Sequence, residues 1–173
     1  MLPSLRQLPV LLTAALLILL AGCASQPQRK GSALIGSSSS PPIIIDSHKR
    51  NEVVMTALGL IDTRYKYGGS SPATGFDCSG LVAYVFAKSA SQRLPHNTEA
   101  LARQSRPIAK SQLSAGDFVF FNTLNQSLSH VGIYLGDGQF INAPSSGGKV
   151  RIDSLNSRYF AQRFDGAGTL FER

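Results

Sequence analysis

Cysteine is scarce in this 173-residue chain, which has only Cys23 and Cys78. Two residues so placed cannot make a disulfide framework, and pairing them would only tie the body of the chain to its own N-terminal segment. Cys78 therefore reads as a free thiol. Metal-binding spacings are missing as well: there is no H-E-x-x-H, no paired-cysteine zinc spacing, and the three histidines His48, His96 and His130 are scattered. Metal-assisted hydrolysis is disfavoured on that basis, and neither a metal nor a cofactor is expected. The pair Gly68-Gly69 belongs to neither a G-x-G-x-x-G fingerprint nor a loop ending in G-K-[ST], so nucleotide binding is not indicated. Acidic residues are outnumbered, ten Asp and Glu against seventeen Lys and Arg, for a formal charge of +7. With no arginine-rich run and no aromatic RNP-like motif, that excess points away from nucleic acid and leaves anionic lipid or an anionic polymer as its natural partner. No internal repeat is visible, and the length suits one domain with a proper core.

What is present begins with a targeting segment. Met1 to Gln7 carries one positive charge, and Leu8 to Ala21 is nearly all Leu, Ile, Val and Ala, the length of a signal-peptide core and short of the roughly 20 residues of a bilayer span. It ends in Leu20-Ala21-Gly22-Cys23, which resembles the bacterial lipoprotein signal. The resemblance implies removal of residues 1–22 and lipidation of Cys23. Ala24, rather than an aspartate, follows that cysteine, which implies the periplasmic face of the outer membrane. From Ala24 to Pro42 the composition is Ser, Gly, Gln and Pro with the basic pair Arg29-Lys30, too poor in apolar residues to form a core. Residues 23–45 are read as a lipidated linker and 46–173 as the folded domain, with Ile43 to Ile45 left open between a short strand and a docking contact.

The folded part is organised around Gly75-Phe76-Asp77-Cys78-Ser79-Gly80-Leu81-Val82-Ala83-Tyr84-Val85-Phe86. A polar, glycine-bounded turn leads into Leu81, Val82, Val85 and Phe86 at the spacing of a buried helix face. Cys78 is thereby expected in the first turn of a helix, where unpaired N–H groups and the positive end of the helix dipole favour thiolate over thiol. The same place supplies backbone donors for an oxyanion. An isolated cysteine there would equally serve as a small apolar plug, since free cysteines are often buried.

Around this stretch, Asp46 or Ser47 is placed to cap a helix over about Lys49 to Thr63, with Val53, Val54, Ala57, Leu58 and Ile61 inward. Tyr65 to Gly75 reads as a loop that brings Tyr65 towards the thiol. Asn97 or Thr98 caps a short helix to about Gln104. Thereafter the period changes from helical to alternating. Strands are expected over Gly116 to Phe121, Ser129 to Leu135, Gln139 to Ala143, Lys149 to Ile152 and Thr169 to Glu172, with a short helix near Leu155 to Phe160. The turn at Asp137-Gly138 makes a hairpin of the second and third strands. Helices followed by antiparallel strands are the α+β pattern.

In that hairpin, residues whose numbers sum to about 272–275 lie opposite or diagonal, which brings His130 beside Asn142. An imidazole with an orienting amide, both on strands, can share a proton with a thiol on a packed helix, and Cys-His-Asn is a known form of the nucleophilic triad.

At these residues the chain resembles the NlpC/P60 family of papain-like peptidoglycan hydrolases. The matching segments are Tyr65-Lys66-Tyr67-Gly68-Gly69, Phe76-Asp77-Cys78-Ser79-Gly80, Leu94-Pro95-His96-Asn97-Thr98, Gly116-Asp117 and Ser129-His130-Val131-Gly132-Ile133-Tyr134, in that order. The resemblance implies a papain-like α+β fold, N-terminal helices packed on an antiparallel sheet. It also implies Cys78 as nucleophile, His130 as base, Asn142 as the third residue, Tyr65 beside the thiol, and oxyanion or substrate contacts from Tyr65, Asp77 and Ser79. The third position is commonly histidine in the family and is Asn142 here. The implied activity is hydrolysis of amide bonds in peptidoglycan stem or cross-link peptides by a monomer anchored in the membrane through its N-terminal lipid. A wall-binding lipoprotein without catalysis, and an amidase or acyltransferase on the same fold, are the alternatives.

Overall fold

A computed structural model of the chain describes residues 43–146 and 148–172. The expected signal segment, the lipidation site at Cys23 and the Ser/Pro-rich tether to Pro42 lie outside the described residues.

A 3-10 turn at Ser47–Lys49, capped by the Asp46 carboxylate accepting from the His48 N–H at 2.8 Å, leads into helix α1, Arg50–Leu58. The two-residue strands β1, Ser70–Ser71, and β2, Gly75–Phe76, pair before helix α2, Cys78–Ser89. Helix α3, Thr98–Gln104, precedes strands β3, Arg106–Ile108, β4, Phe118–Phe121, β5, His130–Gly136, β6, Gln139–Asn142, and β7, Arg151–Ser154. Helix α4, Arg158–Ala161, and strand β8, Phe164–Thr169, follow. The larger sheet runs β3-β8-β4-β5-β6-β7, antiparallel throughout. This is the expected α+β arrangement, with the leading helices against an antiparallel sheet.

Helix α2 lies at the centre because its inward face is fully apolar: Leu81, Val82, Val85 and Phe86 are all completely buried, as their spacing predicts. They meet Phe118, Phe120, Val131, Ile133 and Ile141 of the sheet. Strand β4 is apolar at every position because both its faces are covered. Phe118 and Phe120 join the α2 side, while Val119 and Phe121 pack with Phe140, Leu155 and Phe160 on the other. Each such side chain contributes about 1.5–3 kcal/mol through removal from water. Helix α1 is tied to the sheet by Arg50, whose Nη1 donates to Ala115 O at 2.8 Å and Asp117 Oδ1 at 2.9 Å while the guanidinium lies 4.2 Å from the centre of the Phe171 ring. The Gly116-Asp117 pair is therefore structural: Asp117 is buried, and its other oxygen accepts from the Ser114 N–H.

Three local expectations are corrected. Helix α1 ends at Leu58 rather than near Thr63, because Gly59 caps it and Asp62 adopts φ 68°, which leaves Ile61 outside the helix and exposed. The last strand is Phe164–Thr169, earlier than Thr169 to Glu172. Its Asp-Gly-Ala-Gly sequence hides it, yet the missing side chain at Gly168 is what admits Ser105. The segment after it pairs instead with Ile45, which accepts from the Glu172 N–H and donates to Leu170 O in a one-residue parallel bridge. The short helix is Arg158–Ala161, started by the Ser157 hydroxyl accepting from the Phe160 N–H, rather than Leu155 to Phe160.

Candidate active site

Cys78 is the first residue of α2, and Asp77 is its N-cap. The Asp77 Oδ1 accepts from the Gly80 N–H at 2.8 Å, satisfying one of the orphan donors of the first turn. The same oxygen lies 3.3 Å from the Ser79 hydroxyl and 2.6 Å from His96 Nε2, and Oδ2 accepts from the Gly68 N–H at 2.9 Å. Asp77 and Ser79 thus hold the helix start together, and His96, which had no assigned role, is drawn to the same carboxylate. The glycines of this region are a packing requirement: a Cβ on Gly80 would collide with the Gly69 carbonyl oxygen, so the Tyr65–Gly69 segment can lie directly against the first turn of α2.

Opposite, the β5–β6 register pairs Ile133 with Ile141 and Tyr134 with Phe140, sums of 274. This places His130 and Asn142 diagonally, and His130 Nε2 lies 2.9 Å from Asn142 Oδ1. Both residues are buried, and the imidazole stacks on Phe160 with a centroid separation of 6.4 Å. The amide orientation follows from its neighbours. Asn142 Nδ2 faces two acceptors, Asp153 Oδ2 at 2.9 Å and Arg151 O at 3.3 Å, so the oxygen faces His130. His130 Nε2 accordingly carries a proton, and Nδ1 is the ring nitrogen left to act as an acceptor.

Cys78, His130 and Tyr65 open on one cavity of about 530 Å³, whose wall includes Asp77, Ser79 and His96. Exposed Tyr67 and Leu124 stand on its rim. A second cavity of about 360 Å³ also reaches His130 and is walled by Arg151, Tyr159 and Phe160. All six residues singled out in the folded part are thus assembled around the first cavity or its supports. Among the described residues no group of three or more His, Cys, Asp or Glu is placed to share a metal ion.

The protonation states differ from the sequence expectation of a thiolate held by helix and imidazolium. Burial pushes the Cys78 thiol up from 9.0, with the Asp77 charge adding to it. The Val131 N–H, the Thr98 hydroxyl and the Ser79 N–H oppose the rise but do not overcome it. Burial also pushes His130 down from 6.5, despite the Asn142 hydrogen bond and the Asp153 charge. Both shifts favour the neutral forms, thiol and imidazole, because the low-dielectric surroundings that make the helix start a tight fit penalise both ions. Burial, then Asp77 and Cys78, raises the Tyr65 phenol, which keeps it protonated and a donor.

The residues that sequence reasoning missed are Asp153 and Arg151. Arg151 stands opposite Asn142 in the β6–β7 ladder, and its Nε donates to Asp153 Oδ2 at 2.8 Å. Period-two alternation puts Asp153 on the face of Arg151, a signal that needed only the β6–β7 register to be read.

The NlpC/P60 family model matches residues 62–169. The chain is 38% identical over 133 residues to the murein DD-endopeptidase MepH of Escherichia coli, covering 72% of this chain and 49% of that one. It is 41% identical over 115 residues to the gamma-DL-glutamyl hydrolase of Bacillus subtilis, covering 66% and 28% respectively. The chain thus spans about half, or less, of the length of these curated relatives. Among solved structures, the NlpC/p60 domain of the peptidoglycan hydrolase SagA superposes with a TM-score of 0.61 at 32% identity, covering 69% of this chain and 97% of that domain. With the family model matched over residues 62–169, more than half of the chain, the chain belongs to the NlpC/P60 family.

Proposed function

We propose that this protein is a cysteine peptidase that hydrolyses amide bonds in peptidoglycan stem or cross-link peptides, with Cys78 as nucleophile, His130 as base and Asn142 as orienting residue. The observation that carries the proposal is the buried His130 Nε2 to Asn142 Oδ1 hydrogen bond, which leaves Nδ1 as acceptor at the cavity where Cys78 begins α2. Relatives named as a murein endopeptidase and a peptidoglycan hydrolase support the substrate class.

The neutral resting pair defines the chemistry. The Cys78 proton passes to His130 Nδ1 as Sγ bonds to the substrate carbonyl carbon, so charge appears only as the bond forms. The resulting oxyanion is placed to accept from the backbone N–H of Cys78, which as a first-turn amide has no intrahelical acceptor, and from the Tyr65 hydroxyl. Collapse breaks the C–N bond, and His130 returns the proton to the departing amine. A water then gives its proton to Nδ1 and attacks the thioester, releasing the new carboxylate and the Cys78 thiol. Asp77 and Ser79 support this by fixing the helix start.

Digestion of purified muropeptides, with mass spectrometry of the new termini, tests the reading. The expected result is one new amine and one new carboxylate at a peptide bond, absent with Cys78→Ala. Retention on the wall without peptide release would instead support the non-catalytic alternative.

The proposal extends to placement: a monomer anchored by lipid at Cys23 on the periplasmic face of the outer membrane. Support comes from Leu20-Ala21-Gly22-Cys23 and the polar segment behind it. Because stable anchoring requires more than one acyl chain, Cys23→Ser is expected to move the protein from the membrane fraction to the soluble fraction with its activity intact. A substituted protein still in the membrane fraction would remove the anchor.

A further inference from the structure

We propose that Asp153 is a positioning residue of the reaction, which fixes the amide of Asn142 in the one orientation that makes His130 a base. The inference rests on the reading of Cys78 and His130 as a nucleophile and base pair.

An asparagine side chain is nearly symmetric in shape and opposite in chemistry at its two ends, accepting at Oδ1 and donating at Nδ2. Packing alone cannot choose between orientations that differ by a half-turn. In the observed one, Oδ1 accepts from His130 Nε2–H at 2.9 Å and Nδ2 donates to Asp153 Oδ2 at 2.9 Å. The reverse would aim an N–H at Nε2, forcing that nitrogen to accept and moving the ring proton to Nδ1. A protonated Nδ1 cannot take the proton of Cys78. The reverse would also set the amide oxygen against the carboxylate of Asp153 and the carbonyl of Arg151, two acceptors with no proton between them.

Only an acceptor that cannot become a donor imposes this choice, and an ionised carboxylate is such a group. Arg151 fixes its place. Its Nε donates to the same Oδ2 at 2.8 Å, while its Nη1 donates to Ser146 O at 3.0 Å. The guanidinium thereby aims the carboxylate oxygen at the amide. The side chains lie in register for this: Arg151 is opposite Asn142, and Asp153 is opposite Phe140 two pairs further along the ladder, on the same face. The charges of Asp153 and Arg151 act on the imidazole in opposite senses, Asp153 raising its proton affinity and Arg151 lowering it.

Asp153→Asn, which has the same shape but can donate as well as accept, weakens the constraint and leaves the longer contact to the Arg151 carbonyl as the remaining fixed acceptor. Two measurements decide. Long-range ¹H–¹⁵N spectra of histidine-labelled protein are expected to show His130 as the Nε2–H tautomer in the parent and as a mixture in Asp153→Asn, with Asp153→Glu restoring the parent form. In muropeptide hydrolysis, Asp153→Asn is expected to lower kcat roughly tenfold at unchanged KM, the low end of losses found when outer partners orienting metal-bound histidines are removed. Added to Asn142→Ala, it is expected to cost nothing further, because no amide remains to orient. A parent-like tautomer and kcat in Asp153→Asn would overturn the inference, as would an equal loss in the Asn142→Ala background, the signature of a merely structural role. A parent that released no peptide would overturn the peptidase reading instead, and the tautomer spectra would still decide the role of Asp153.

Discussion

Two aspartates support the cleft from opposite sides, and they do so by different means. Asp77 sits one residue before the thiol and gathers the Gly80 and Gly68 N–H groups, the Ser79 hydroxyl and His96 around a single carboxylate. Two of these four partners are backbone amides, so Asp77 fixes where the chain goes. Asp153 sits on β7, an edge strand of the sheet, and takes side-chain donors only, the Asn142 amide and Arg151. It leaves the backbone alone and fixes which way one group points. Cys78 is thus placed by main-chain architecture and His130 by side-chain orientation. Substitutions on the two sides should separate accordingly, into losses of stability on the Asp77 side and losses of turnover at constant stability on the Asp153 side.

The largest effects should come from the reacting atoms, where the two sides cannot be told apart. Cys78→Ala and His130→Ala are each expected to reduce muropeptide hydrolysis on the order of 10⁴-fold or more, and the double substitution little further, since members of one triad act as a unit. Additive losses in a steady-state assay would mean that the two residues do not serve one step.

Next is Asn142. Asn142→Ala should lower kcat by about 10- to 100-fold, well short of removing the base, because an uncharged amide orients the ring without sharing its charge. Asn142→His should keep activity, as histidine can accept from Nε2–H in the same place. Inactivity of Asn142→His alongside an active parent would show that the amide, with its donor turned to Asp153, is what this site requires.

A smaller effect is expected from Asp77→Ala, seen first in thermal unfolding. Loss of the cap should cost about 1–2 kcal/mol, which in a domain of this size lowers Tm by roughly 3–6 °C. Asp153→Ala should leave Tm nearly unchanged, since its ion pair with Arg151 is partly exposed and such pairs contribute little. Equal shifts in the two variants would erase the distinction between backbone and side-chain support.

The same distinction explains what could be read from the sequence. The Cys78 side is contiguous: a cap, a thiol and an apolar i, i+1, i+4, i+5 face lie within ten residues, so helix, buried face and the place of the thiol in the first turn were all legible. The His130–Asn142 pair was legible only as a range of sums, because the Asp-Gly turn locates the hairpin while the register shift between Tyr134 and Gly136 moves the sum from 275 to 274 and puts the two residues on one face. Asp153 was not, because the connection from β6 to β7 has no such turn and the ladder register cannot be counted across it. Strand β8 was displaced because Gly166 and Gly168 carry no side chain to display an alternating pattern. The state of the thiol was misjudged for another reason. The helix dipole is visible in a sequence, whereas burial depends on how loops from distant segments close over the helix start.

That last point yields the finest test, since it sets burial against the helix start and imidazole at a single atom. With burial dominant, the thiol is raised above 9.0 and the imidazole lowered below 6.5 in the folded protein. The rate of Cys78 alkylation by iodoacetamide should then climb with pH through and beyond the range of a free thiol, with no thiolate plateau below pH 7. Linkage gives a second reading with a definite sign. The folded thiol holds its proton more tightly than the unfolded one, so its contribution to stability is complete below the unfolded value and is lost as pH rises through the folded one. His130 holds its proton less tightly when folded, so its contribution is present above about 6.5 and is lost as pH falls through its lowered value. Denaturant titrations of Cys78→Ala against the parent should therefore converge at neutral pH in slope and diverge on the alkaline side, where the parent weakens more steeply. Rapid alkylation below pH 7 that slows in His130→Ala would reverse the order of forces. The imidazolium and the helix start would then outweigh burial, and the enzyme would rest as an ion pair.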